Sequence, residues 1–382
     1  MSAITRPRAR VLAWLAAVAA VACAITACGN QFVPAGYSPT RPYATVKPWL
    51  PGPTPTPEPS GPMTVGVDLY DTQDYSLEQT KALGNRAISY IANTLKVKSV
   101  GIAWDYTVPA LTSDQVNTAS AVTPSAADIQ ALTQIARAHG LRVEYRVLLE
   151  VAGQNGQSES LRPASTQTWL SSLLTAETPE LRLAQQERVS EFIVGTETAA
   201  IEGSPLWKGF FTQAGKIYSG TLSYATWGGS PASGGFFSSK RVLPPIGLYG
   251  VTAYPSVSLP AGASLSQLTA AWVKFLRTAP ESVLRRTAID EIGIPAAVGS
   301  YSDPWNWNDA TGTPDDQVQA NWFEAACDAA VAAHLRAIYF WNVNLSDNPE
   351  NDDLFASAVR FEDRTASEAA IRSCEQTAAR GG

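Results

Sequence analysis

The run Glu191-Phe192-Ile193-Val194-Gly195-Thr196 is short and apolar, and it stops on Glu197. A second run, Thr287-Ala288-Ile289-Asp290-Glu291-Ile292, has a similar character and carries the acid pair Asp290-Glu291 near its end. Runs of this length bounded by breakers read as buried strands. Six more candidates flank them: Thr64–Tyr70, Ser99–Trp104, Arg142–Leu149, Thr221–Thr226, Gly247–Ala253 and Ala337–Asn342. Helical patterns lie between, over Ser125–His139, Pro205–Tyr218, Leu265–Thr278 and Asp315–His334. Ser125 caps the first of these with Asp128 in its opening turn, and Gly140 closes it. Strand–helix alternation argues a parallel sheet. Eight such units in about 300 residues fit a single (β/α)8 barrel of the α/β class. A doubly wound open sheet is the alternative, but no G-x-G-x-x-G follows the first strand.

In a barrel, functional residues sit at the C-terminal ends of the strands. That rule selects Asp68, Trp104 with Asp105, Arg146 with Glu150, Glu197, Tyr224 with Trp227, Tyr254, Asp290 with Glu291, and Trp341 with Asn342. The set is acidic and aromatic, as a carbohydrate site requires. Two carboxylates flank a glycosidic bond while aromatic faces carry the sugar rings. Strands four and seven face each other across the mouth of a closed barrel, so Glu197 and Glu291 are the expected catalytic pair. Asp68, Trp104, Arg146, Tyr224, Trp227, Tyr254, Trp305, Trp341 and Asn342 are the expected substrate-binding residues. Tyr254 is also placed to orient the nucleophile. Trp305 and Trp307 lie in a polar, aromatic loop after strand seven, suited to a lid or a subsite wall. Asp290 is expected to turn from Glu291 toward the helix layer, and Glu202 to contact a structural partner.

Composition narrows the chemistry. The 382 residues carry 28 Lys+Arg against 34 Asp+Glu. Without residues 1–27, which hold three Arg and no acid, the balance is 25 against 34, or −9. That excess argues against nucleic acid as a partner. Only His139 and His334 are present, which excludes a His-rich zinc site. The ligand spacing of Asn351-Asp352-Asp353 fits no calcium loop. No metal and no cofactor is expected, and acid–base chemistry falls to Asp and Glu. Eleven Trp supply flat apolar faces for sugar rings, although large cores use Trp too.

The ends of the chain speak to location. Arg6, Arg8 and Arg10 precede an apolar run over Val11–Ala24, the form of an export signal. The run is short for a membrane span. It leads into Ile25-Thr26-Ala27-Cys28, which resembles a bacterial lipobox with Cys28 as the lipidated residue; the alternative is an ordinary secretory cleavage site. Ten of the 29 residues from Pro34 to Pro62 are Pro, which favours an extended spacer. Cys327 and Cys374 remain in an oxidising compartment, either bridged or as two free thiols. The expected organisation is a signal over 1–27, a Pro-rich tether over 28–62, the barrel over 63–365, and a tail or helix over 366–382. The expected protein is a monomer held outside the cell membrane through Cys28.

The motifs together resemble a known family. Acid/base after strand four and nucleophile after strand seven is the placement of clan A glycoside hydrolases. Gly195-Thr196-Glu197, followed by Glu202 and Trp207, is similar to the family 113 group, which is β-mannanase-like. So are Leu222-Ser223-Tyr224-Ala225, Asp290-Glu291-Ile292-Gly293 and Pro124–Val143. The resemblance covers most of Thr64 to Asn344. It implies a retaining mechanism with Glu197 as acid/base, Glu291 as nucleophile and Trp341 as sugar platform. Three departures line the substrate side. Thr196 stands where many clan members have Asn, Ile294-Pro295 where an aromatic is common, and Arg146-Val147-Leu148 where Lys-Pro-His is common. A non-catalytic sugar-binding lipoprotein on the same barrel is the other reading.

Overall fold

The structure, a computed structural model, describes residues 61–71, 73, 75–153, 158–228, 244, 246–306, 312–348 and 359–380. The export signal, Cys28 and the tether up to residue 60 lie outside these residues. So do most of the Gly- and Ser-rich stretch Gly228–Lys240, Trp307 and Asn351-Asp352-Asp353.

The elements in order are β1 (Thr64–Asp71), α1 (Leu77–Ser89), β2 (Ser99–Val108), α2 (Ala126–Ala138), β3 (Arg142–Val151), α3 (Thr166–Gln186), β4 (Glu191–Thr196) and α4 (Trp207–Ile217). Then follow β5 (Thr221–Gly228), β6 (Tyr249–Ala253), α5 (Leu265–Leu276), the one-turn α6 (Glu281–Leu284), β7 (Thr287–Ile292), α7 (Asp316–Ala332), β8 (Ala337–Asn344) and α8 (Thr365–Arg380). The strands are all parallel and in sequence order, and β8 closes on β1. This is the (β/α)8 barrel. Ser76, Ser125 and Ser264 open α1, α2 and α5 with reciprocal capping boxes, which satisfy orphan N–H groups at each helix start. Residues expected to form a tail or helix build α8, which packs on α7 and β1 and occupies the eighth helix position of the outer ring. A disulfide between Cys327 of α7 and Cys374 of α8 fastens it there.

Period-two alternation separates two interiors. Outward-facing Trp104, Tyr145 and Phe192 meet edge-on, with ring centroids 5.4 to 6.3 Å apart, in the apolar layer between sheet and helices. Inside the barrel the chemistry is polar. Ser99 of β2 hydrogen-bonds Tyr339 of β8 at 2.7 Å, and Glu191 of β4 pairs with Arg336 just before β8. Non-neighbouring strands can meet like this only through the barrel interior. Glycine makes the room: a Cβ on Gly101 would stand 2.2 Å from Asp68 Oδ1, and one on Gly250 would overlap the Asp290 carboxylate. Asp68, Glu144, Glu191, Asp290 and Glu291 share this space with the guanidiniums of Arg146 and Arg336. Five carboxyls against two cations cannot all be ionised in a poorly hydrated core, so part of the set keeps its protons.

Candidate active site

The polar interior opens at the C-terminal strand ends, and two carboxylates stand there. Glu197 is the first residue past β4. Its backbone lies in the left-handed region, with φ of 56°, a conformation rare outside glycine and costly for Glu. The N–H of Glu197 donates to Ala225 O at 2.9 Å, and the ladder between β4 and β5 loses register between Ile193 and Thr196. The Thr252 hydroxyl of β6 donates to the Glu197 carboxylate.

Glu291 lies on β7 and is 6% exposed. Tyr254 OH donates to Glu291 Oε2 at 3.0 Å, and Arg146 Nη1 stands 3.3 Å from Oε1. Thr252 and Tyr254 are two residues apart on one extended run, so their side chains leave on the same side. That run therefore supports both carboxylates, and the Tyr254 hydroxyl feels the charge of each. Burial pushes Glu291 above the usual carboxylate range, while Arg146 and then Tyr254 pull it back. Arg146 is itself wholly buried and held by Asp68 at 3.1 Å, Glu144 at 3.8 Å and the Asp290 carbonyl. Burial raises its neighbours further: Asp290 to about 7 and Glu144 to about 8.

Several expectations need correction. Asp68 and Arg146 are 0% exposed and lie beneath the floor, so neither reaches a substrate; Arg146 instead braces Glu291. Trp104 is also 0% exposed. Strand β2 runs on to Val108, which leaves Trp104 mid-strand with Ile102 and Tyr106, facing the helix layer. Tyr224 is buried against Trp207 at 5.3 Å, facing outward on β5. Its hydroxyl meets Thr198 N, Thr198 Oγ1 and Glu202 Oε1 at 2.8, 2.7 and 3.1 Å, bracing the segment just after Glu197. Glu202 also accepts from Thr226 at 2.8 Å and so has structural partners. Asp290 faces the barrel interior, not the helices. The β6–β7 pairing shifts register so that Thr252 pairs with Glu291, which puts two successive side chains of β7 inside.

The remaining expected residues lie around the mouth. Trp227 and Asn342 are half-buried at the ends of β5 and β8. The Asn342 side chain donates to Asn344 Oδ1 at 2.9 Å. Trp341 is half-buried with its ring centroid 4.9 Å from that of Tyr70, and the Trp341–Asn342 peptide is cis. Trp305 is 36% exposed in the loop after β7. Sequence reasoning missed Thr252, although its place two residues before Tyr254 was a usable signal. It also missed Tyr70, whose hydroxyl donates to Asp105 Oδ2 at 2.5 Å. Among the described residues no group of His, Cys, Asp and Glu is arranged to hold a metal.

A family model for Glycoside Hydrolase Family 113 matches residues 73–353. The chain belongs to glycoside hydrolase family 113. Solved structures agree on the fold of this family 113 protein. A β-mannanase of the same family from Alicyclobacillus acidocaldarius, in complex with ManMIm, superposes with a TM-score of 0.68 at 16% identity, covering 83% of this chain and 98% of that one. Another family 113 β-1,4-mannanase gives 0.67 at 16% identity, over 83% and 99%. A family 5 subfamily 18 protein from Streptomyces cattleya, in complex with GlcNAc, gives 0.53 at 14%, over 84% and 81%. Among curated proteins nothing matches. The family 113 chain is thus a glycosidase by family, with its paired carboxylates at the strand ends of the barrel.

Proposed function

We propose that this family 113 protein is an exported, lipid-anchored glycosidase that cleaves a β-linked poly- or oligosaccharide with retention. One observation carries the reading: Thr252 and Tyr254 each hydrogen-bond one of the two carboxylates that end β4 and β7. Glu291 has a guanidinium 3.3 Å away and a phenol donor, which favour the ionised form that a nucleophile needs. Its carboxylate attacks the anomeric carbon while Glu197 gives its proton to the departing oxygen. Glu197 then takes a proton from water as that water attacks the glycosyl ester and frees Glu291. Trp341, Trp227 and Trp305 offer faces for sugar rings. The family 113 structures are of a β-1,4-mannanase and a β-mannanase, so β-1,4-mannan is the first substrate to try. The lipobox-like end at Cys28 and the Pro-rich segment after it support anchoring outside the membrane.

The test is Glu197→Gln and Glu291→Gln, assayed on a panel of β-linked glycans beginning with mannan. Each lowers turnover by at least about 10²–10⁴-fold while the protein remains folded by circular dichroism. The first product released by the parent enzyme has the β configuration by NMR. Full activity in both variants sinks the assignment. Glycan binding with no cleavage by the parent protein instead supports the sugar-binding reading.

A further inference from the structure

A third carboxyl stands at the mouth, outside the pair that the proposed chemistry uses. Asp105 follows Gly101 and Ala103 on the inward-facing register of β2, opposite in sense to Trp104 and Tyr106. It is 7% exposed. Its Oδ2 accepts from Tyr70, and the Tyr70 ring lies 4.9 Å from that of Trp341. Its backbone carbonyl accepts from the buried Thr123 hydroxyl at 2.7 Å, which ties the loop after β2 to the same spot. Oδ1 accepts no hydrogen bond from a described residue and keeps some solvent-accessible surface. Asp105 also feels the charges of Glu150 on β3 and Glu291 on β7.

Resting on the glycosidase reading above, we propose that Asp105 is a specificity-determining residue whose free oxygen accepts a hydroxyl of the sugar stacked on Trp341, so that this subsite takes neutral sugars and rejects uronates. Tyr70 fixes the carboxylate plane by its hydrogen bond and carries Trp341 on its ring, so the acceptor and the platform are held as one unit. A carboxylate in a half-dry site rewards a hydroxyl donor. It repels a second carboxylate, with Glu150 and Glu291 adding to that repulsion. Arg146 lies below the floor, engaged by Asp68 and Glu291, and offers a sugar acid no counter-charge. Burial lifts the Asp105 carboxyl to about 6, partly offset by the Tyr70 bond, so the discrimination fades in mild acid while a uronate stays ionised.

The experiment uses the whole protein carrying Glu197→Gln, so that binding is read without turnover. The probes are β-linked tetrasaccharides of mannose, glucose and galactose, each beside its C6-oxidised uronate counterpart. At pH 7.5 at least one neutral member binds, and its uronate partner binds about tenfold or more weakly. Adding Asp105→Asn, which keeps an acceptor for Tyr70, narrows that gap to under about threefold. The gap narrows likewise at pH 5 with Asp105 intact. Tyr70→Phe moves the pH of that narrowing upward, because it removes the bond that lowers the carboxyl. Uronates bound as well as neutral sugars, a gap untouched by Asp105→Asn, or no neutral sugar bound at all would overturn the assignment. Turnover surviving Glu197→Gln sinks the catalytic reading instead and leaves these binding ratios standing.

Discussion

Arg146→Met is the substitution that most directly probes how Glu291 is held. Methionine keeps much of the aliphatic length and removes the charge. The change deletes the 3.1 Å pair with Asp68, the 3.3 Å contact to Glu291, the 3.8 Å approach to Glu144 and the bond to the Asp290 carbonyl. Asp68 and Glu144 are enclosed, so these orphaned carboxyls cannot turn to water. Breaking such a cluster from one side costs about 3–5 kcal/mol. At roughly 2–4 °C per kcal/mol, Tm falls by roughly 6–20 °C. The sign with pH follows from the charges. Arg146 pulls Glu291 down against burial, so its loss sends the Glu291 carboxyl higher. A nucleophile must be ionised, and the acid limb of kcat/KM therefore moves to higher pH. The stability loss is larger at pH 8.5 than at pH 5.5, because protons neutralise the orphaned acids at the lower value. Urea melts at both pH values and a pH–rate profile supply the readouts. Adding Asp68→Asn recovers part of the lost stability. A loss of Tm equal at both pH values, with an unmoved acid limb, refutes the electrostatic account and leaves Arg146 a packing residue.

Glu177 on the inner face of α3 is 0% exposed, and neither of its carboxylate oxygens has a hydrogen-bond partner among the described residues. Glu177→Met raises stability by about 1–3 kcal/mol in urea melts, and a lowered midpoint contradicts this. In the parent protein Glu144 and Asp290 are raised to about 8 and about 7, so the folded state binds more protons than the unfolded one from about pH 4 upward. The unfolding free energy therefore falls as pH rises from 5 to 8, and a rise over that window is the contrary result. Replacing Cys327 and Cys374 together with Ala opens a loop of 47 residues. The expected loss is about 4 kcal/mol in the chain-entropy model, and an unchanged Tm argues that α8 is held by packing alone.

The eight strands were legible because each is a compact run of β-formers between breakers, and tertiary packing agrees with that local preference. The errors cluster where a strand end was placed too early or where alternation breaks. Trp104 looked terminal only because β2 was ended four residues short of Val108; counted along the full strand, it falls in phase with Ile102 and Tyr106. Asp290 looked outward because simple alternation beside Glu291 requires it, and the register shift against β6 is a three-dimensional fact with no local mark. Tyr224 carries the residue type of a sugar contact, yet its phase on β5 sends it to Trp207 and Glu202. The polar interior was illegible for a different reason. Glu191 meets Arg336 across 145 positions of sequence, and no spacing rule joins them. By contrast, Tyr254 was read as an orienting group for Glu291 from its place at a strand end, and its hydroxyl lies 3.0 Å from that carboxylate.

The attachment of both carboxylates to one short strand has an engineering consequence. Strand β6 spans only Tyr249–Ala253, and its Thr252 and the following Tyr254 reach the two acids. A displacement of β6 shifts both hydrogen-bond donors at once, so proton donor and nucleophile are detuned in a single step. Directed variation aimed at new glycans therefore leaves β6 fixed.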